Sequence, residues 1–396
     1  MKASIRTVAV TGKRVLVRED LNVPLTQGRL EDDSRLVACL PTLRDLSERG
    51  ARVVIASHLG RPAGKPEAGL SLRPVAERLS QLLGLPVGLA QDCVGPAAEA
   101  AVAGLEPGQL VLLENVRFHP GEEADEPEFA RALADLADVF VNDAFGTSHR
   151  AHASVVGVAR HLPAYAGDLM LAELEALHRA LDQPQRPLVA IVGGAKISSK
   201  LGVLSHLLPC VDRLLVVGAM SNTFFLARGL QVGSSLVESD LAQEAREVSD
   251  QAGDKLVLPV DAICAEHAEP GAATRVLAVD AIPAGWSILD SGPASAEVFR
   301  RSLQGAATVV WNGPPGMFEI AEFRSGTRLL AEAVIASGAY SLVGGGDTDA
   351  AVKLLGLSPR FSHVSTGGGA TLEYMEGREL PGVAILREAD ATAEVV

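Results

Sequence analysis

The chain has little cysteine and little lysine, no surplus of positive charge and no long apolar run. Its four cysteines, Cys39, Cys93, Cys210 and Cys264, are far apart and form no CxxC pair. They read as reduced thiols, mostly in the core, of a cytosolic protein. The formal net charge of -14 argues against a general binder of nucleic acid or of an anionic membrane. Any anionic ligand must be held by local positive charge, against the overall field. No apolar run is long enough to span a bilayer and no signal-type apolar region opens the chain, so the expected location is the cytoplasm. Neither GxGxxG nor GxxxxGK[ST] occurs. Gly64-Lys65 imitates the second, but Gly60 stands one residue too close and Pro66 follows.

What is present fits a soluble globular protein. The 396 residues allow more than one core, and 47% hydrophobic with 21% charged residues is ordinary. Short β-rich apolar runs recur at 15–17, 53–57, 110–113 and 139–141, then at 188–192, 214–217, 256–260, 308–311, 341–343 and 363–365. Helical patterns lie between many of them, as at 72–83, 127–136 and 238–252. The alternation predicts an α/β protein with doubly wound parallel sheets. Roughly ten strands is many for one sheet, so two domains are expected. Asp168 is placed to cap a helix over 169–181, and the proline-marked stretch 182–187 ends it. Domains are expected at 1–167 and 188–375, with 168–187 as a helical hinge and 376–396 returning to the first domain. A crossover helix inside one sheet is the plainer reading of 168–187.

Ligands of parallel sheets bind at the carboxyl ends of the strands. In the first half those ends carry Arg and His: Arg18, His58, Arg61, Arg117, His119, Arg150 and His152, with Arg35 soon after the first strand. Arg makes planar, bidentate contacts to carboxylate and phosphate. Such a set in an acidic protein points to a small, multiply anionic substrate. Surface salt bridges are the plainer alternative. In the second half the ends carry glycine, at 193–194, Gly218, Gly292, Gly313, 344–346 and 367–369. Glycine lets backbone approach a ligand closely, and helix starts beyond it suit phosphate. Several such loops on one rim point to a nucleotide. Of only seven lysines, Lys196, Lys200 and Lys353 sit in or just after these loops. Surface solubility is the alternative for each. Asp347 beside polyphosphate is repulsive unless Mg²⁺ intervenes, so it reads as a metal-side group or, alternatively, a helix cap.

The ordered motifs Arg18-Glu-Asp-Leu-Asn-Val-Pro24, Ser57-His-Leu-Gly-Arg-Pro62, Leu113-Glu-Asn-Val-Arg-Phe-His119, Asn142-Asp-Ala-Phe-Gly-Thr-Ser-His-Arg-Ala-His152, Gly193-Gly-Ala-Lys196, Trp311-Asn-Gly-Pro314, Gly344-Gly-Gly-Asp-Thr348 and Ser365-Thr-Gly-Gly-Gly-Ala370 resemble those of the phosphoglycerate kinases over nearly the whole chain. The resemblance implies reversible transfer of the acyl phosphate of 1,3-bisphosphoglycerate to ADP, by two similarly sized domains flanking a cleft. It implies that Asp20, Leu21, Asn22, Arg35, His58, Leu59, Gly60, Arg61, Arg117 and Arg150 bind the glycerate substrate. It implies nucleotide contacts from Lys200, Gly218, Gly292, Asn312, Glu319, Gly345, Gly346, Asp347 and Thr348. Arg35, Lys196 and Lys200 would act on the moving phosphoryl group, with Mg²⁺ at Asp347. A monomer with small-molecule partners is expected. Glu19 departs from the family pattern, which has an apolar residue there, and strand alternation would turn it away from Arg18 and Asp20. The stretch Gly218-Ala219-Met220 is less glycine-rich than the family's. Two rivals carry different marks: a dinucleotide oxidoreductase should have GxGxxG, and an inactive scaffold should have lost Arg35, Lys200 and Asp347.

Overall fold

A computed structural model describes residues 1–26 and 28–389. It divides into two compact units, one of Met1–Leu174 with the chain from Glu379 onward, the other of Glu175–Arg378. The part of the predicted C-terminal segment beyond residue 389 lies outside the described residues.

The first unit holds a parallel sheet of six strands. Across it lie Val87–Leu89, Leu110–Leu112, Arg52–Ala56, Arg14–Arg18, Val139–Asn142 and Ala164–Ala166. The apolar runs become strands because both faces are covered: Val15, Val17, Val53, Ile55 and Val141 pack with Leu36, Leu40 and Leu43 of the helix Ser34–Glu48. The order reverses beside Arg14–Arg18, whose neighbours are Arg52–Ala56 and Val139–Asn142, and the rim beyond Arg18 and Asn142 is therefore a switch point.

The second unit repeats the scheme with a six-stranded parallel sheet, in the order Leu256–Val257, Arg213–Val216, Leu188–Val192, Thr308–Asn312, Tyr340–Gly344 and His363–Val364. Its switch point lies between Leu188–Val192 and Thr308–Asn312. A three-stranded antiparallel sheet of Asp261–Ala265, Arg275–Ala278 and Ser287–Ser291 was not foreseen from the sequence.

The helix Asp168–Leu177 carries the chain from one unit to the other. Asp168 does not cap it as expected. Its carboxylate is held by Arg6 at 2.6 and 2.7 Å, and Asp143 instead accepts the Met170 N–H at 2.9 Å. Among the described residues, no helix is long and apolar enough to cross a membrane. The four cysteines are free, and Cys39, Cys93 and Cys264 are buried.

Candidate active site

On the first unit, the chain leaving Arg18 turns over the sheet edge. Leu21 N–H donates to Ser57 Oγ at 3.0 Å, and Gly60 N–H donates to Asn22 Oδ1 at 2.9 Å. These bonds tie the first and second strand-end loops together. Leu21 and Leu59 are buried in the core, so they can offer a ligand only backbone. Asp20 holds Arg35 at 2.6 Å, half-exposed at the rim. Arg117, only 4% exposed, donates to the Gly60 carbonyl at 2.8 Å. Arg150 donates from Nε to His149. Arg61 stands exposed just beyond Gly60.

His58 reports how closely these groups gather. It is 3% exposed and 3.1 Å from Arg18 Nη2. Burial first, then Arg18, Arg117, Arg35 and Arg150, holds its pKa well below the usual value. His152 behaves alike: burial, Arg117, Arg150, Arg18 and His149 bring it down to about 4. Two histidines kept neutral among four arginines mark a locally positive rim in a protein of net charge -14. Arg18 belongs to this set, as its strand-end position led the sequence reading to expect, although the family resemblance did not carry it into the binding residues. His119 does not join it. It pairs with Asp92 at 2.6 Å and stacks on Phe129.

On the second unit, Gly193, Gly194, Lys196, Ser199, Lys200, Asn312, Gly313 and Gly345–Thr348 line one open pocket of about 260 Å³. It sits at that sheet's switch point, as fold physics anticipates. Its floor is backbone against backbone: a Cβ on Gly313 would lie 2.0 Å from the Gly193 carbonyl oxygen, and Gly313 has φ 103°. Gly345, with φ 93°, stands at the cap position of the helix Gly346–Leu354. Asp347 is therefore in the first turn, exposed, and not the cap. Thr348 is buried, with its hydroxyl accepting from Gly313 N–H at 2.7 Å. Lys200 Nζ donates to Asn312 Oδ1. Burial lowers the Lys200 pKa, opposed by Asp347 and Glu376. Asn312 Nδ2 is buried at this pocket with no partner, a donor suited to an anionic oxygen. Exposed Lys196 lies on the same wall.

Three predicted nucleotide residues lie off this lining. Gly218 packs under it, its Cβ position 2.8 Å from Gly194 N and O. Gly292 sits 2.4 Å, by the same measure, from Asp261, whose carboxylate already caps the helix Pro293–Ser302 through Ala294 and Ser295 N–H groups. Glu319 is exposed on a loop where its carbonyl accepts from Arg324. Ser199 and Gly313 line the pocket without having been singled out as binding residues; both fall inside or beside motifs already read.

Comparison with known proteins agrees over nearly the full length. Residues 5–378 match the family model described as phosphoglycerate kinase. A phosphoglycerate kinase of Rubrobacter xylanophilus is 55% identical over 389 residues, 98% of this chain and 99% of that one. One from Chloroflexus aggregans is 53% identical over 398 residues, 98% and 100% of the two chains. Among solved structures, the phosphoglycerate kinase from Coxiella burnetii superposes with a TM-score of 0.88 at 45% identity, covering 97% of this chain and 98% of its own. That from Pyrococcus horikoshii gives 0.87 at 33% identity, with coverage of 97% and 98%.

Proposed function

The chain belongs to the phosphoglycerate kinase family, and from that premise we propose how its two rims share the transfer of a phosphoryl group between 3-phosphoglycerate and ATP. The activity is glycolytic: the acyl phosphate of 1,3-bisphosphoglycerate passes to ADP, and the reaction is reversible. Phosphoryl transfer asks little covalent chemistry of the protein and much alignment and charge stabilisation.

The observation that carries the assignment of roles is the gathering of Arg18, Arg35, Arg117 and Arg150 around a neutral His58. This rim takes the glycerate substrate. Arg117 and Arg150 hold its 3-phosphate, with Arg61 and His58 beside them. Asp20 and Asn22 meet the hydroxyl and carboxyl end, and Leu21, Leu59 and Gly60 contribute backbone. Arg35, aimed by Asp20, faces the group in transit. The glycine pocket takes the nucleotide phosphates through the backbone of Gly345 and Gly346, with Asn312 Nδ2 and Lys200 as donors. Thr348 serves by fixing Gly313. Lys196 and Lys200 stand at the path of transfer. Glu319, Gly218 and Gly292 belong to the ribose and base side, the last two by shaping it.

The pocket also fits a nucleotide-bound cation. Among the described residues, the exposed Asp347 carboxylate is the only acid on its lining, which it shares with two lysines. Asp347 would hold Mg²⁺, which when bound supplies charge neutralisation to the phosphates. Transfer is in line, with no phosphoenzyme. The half-sites are carried by different units, so transfer requires them to be brought together, with 168–187 as the hinge. The enzyme is read as a monomer, and as cytoplasmic, the second of which the free, mostly buried thiols support.

The test is a coupled assay of 1,3-bisphosphoglycerate formation from ATP and 3-phosphoglycerate, with and without Mg²⁺, beside Arg35→Ala. The parent should be active, and the variant should lose about 10²–10³ in kcat. An inactive parent sinks the reading, and a fully active variant removes Arg35 from it. Small-angle scattering should record compaction only with both substrates bound.

A further inference from the structure

Glu19 is 0% exposed, and neither of its carboxyl oxygens has a hydrogen-bond partner. On the adjacent strand Asp143 is equally buried, and its Oδ2 also lacks one. The ladder sets the two side by side. Arg18 pairs with Asn142 in parallel register, and Asp143 N–H donates to the Arg18 carbonyl at 3.0 Å. Glu19 and Asp143 are the residues that follow this last pair, where the ladder's alternation sends both side chains to the same face. Asp143 is the strongest charge acting on Glu19.

Two buried carboxylates in this position cannot both be ionised without a large penalty. Their surroundings decide which keeps the proton. Asp143 Oδ1 accepts from Met170 N–H at 2.9 Å, and the Thr42 side chain and the backbone of Leu169 also favour the charged form of this carboxyl. Glu19 has no such donors. The other charged or titratable groups facing the pair are Arg18 and Asp20 on its own strand, Cys39 from the helix Ser34–Glu48, and Asp168 from the connecting helix. Gly167 backbone closes over Asp143, with a Cβ position 2.3 Å from its Cγ.

We propose that Glu19 keeps its proton and donates it to Asp143 Oδ2, so that Glu19 is a positioning residue fixing Asp143 as the cap of the helix Asp168–Leu177. The bond joins the residue next to Asp20 to the start of the segment that leaves the first unit. Burial and Asp143 push Glu19 well above the ordinary carboxyl range, and burial pushes Asp143 up to about 6. The sign follows. The folded protein holds protons the unfolded chain releases, so this contribution to stability is complete below about pH 4 and is lost as pH rises through the folded values.

The test uses the whole chain. At neutral pH, infrared spectra of the parent should contain the carbonyl stretch of protonated, buried carboxyls, and Glu19→Gln should remove Glu19's share of it, leaving that of Asp290 in the second unit, which burial pushes up to about 8. Glu19→Gln keeps a donor to Asp143 and should leave amide exchange at Leu169 and Met170 slow. Glu19→Val, which has no donor, should speed exchange at those two amides about tenfold and leave the second unit's strands unchanged. Rescue by Gln but not Val is the mark of positioning. If Val matches Gln at both amides, or the parent lacks the band, the proposal is wrong. Should Val fail to fold, the loss of Glu19's share of the band in Glu19→Gln decides alone. Neither readout requires turnover, so failure here is separable from failure of the proposed reaction.

Discussion

The two rims solve the same problem, holding an anion in an acidic protein, with opposite materials. The first unit uses side chains: four arginines with two histidines held neutral between them. The second uses backbone: Gly193, Gly313, Gly345 and Gly346, with only Lys196 and Lys200 as cations on the lining. A side-chain rim should tolerate small shifts of backbone and fail when charge is removed. A backbone rim should tolerate loss of a charge better than the addition of one carbon.

The largest effect should come from that one carbon. Gly313→Ala sets a Cβ against the Gly193 carbonyl at a φ of 103°. It should cost the second unit about 3 kcal/mol and abolish Mg-ADP binding, while 3-phosphoglycerate still binds. Thermal melts and calorimetric titration with each ligand would check it, and a variant that binds Mg-ADP normally would end the backbone account. Arg117→Ala should act in mirror image, weakening 3-phosphoglycerate binding by about 2 kcal/mol and leaving Mg-ADP affinity unchanged. Asp347→Asn should lower Mg-ADP affinity about tenfold with no change in melting temperature. Gly345 occupies the cap position, so loss of stability without loss of affinity would return Asp347 to a structural role.

The smallest expected effect is on pH response. His58 and His152 have folded pKa values below the unfolded value of about 6.5. Their contribution to stability is present above that value and is lost as pH falls, for His152 through about 4. Bound 3-phosphoglycerate supplies negative charge to the flanking arginines and should raise the melting temperature near pH 5 more than Mg-ADP does. Equal protection by the two ligands would show that the histidines do not distinguish the rims.

The strands that frame both rims were legible in the sequence because they are short apolar runs covered on both faces. Leu188–Val192 matches its expected span, and the others differ by a residue or a few at one or both ends. Val87–Leu89 and Ala164–Ala166 were not, since three residues with Gly or Ala carry no strand signal. The antiparallel strand Arg275–Ala278 is largely exposed, and the short apolar run 276–279 that marks it was not singled out in the sequence. Motif order brought most site residues to light. What it could not convey was occupancy by protein. The helix start after Gly292 reads as an open anion site until Asp261, far back in the chain, is found capping it. The burial of Glu19 was equally hidden, because alternation tells which way a side chain points and not what waits there.

Gly193 and Gly313 stand at the ends of neighbouring strands, each filling the space a side chain on the other would need. The usual route by which a protein escapes a constraint is compensation, in which a neighbour shrinks before a residue grows. Here both partners are already at minimum size, and the clash is with carbonyl oxygen, which no substitution removes. Neither position can change first. In a saturation library the pair should behave as a dead end, with no second-site suppressor at the other position.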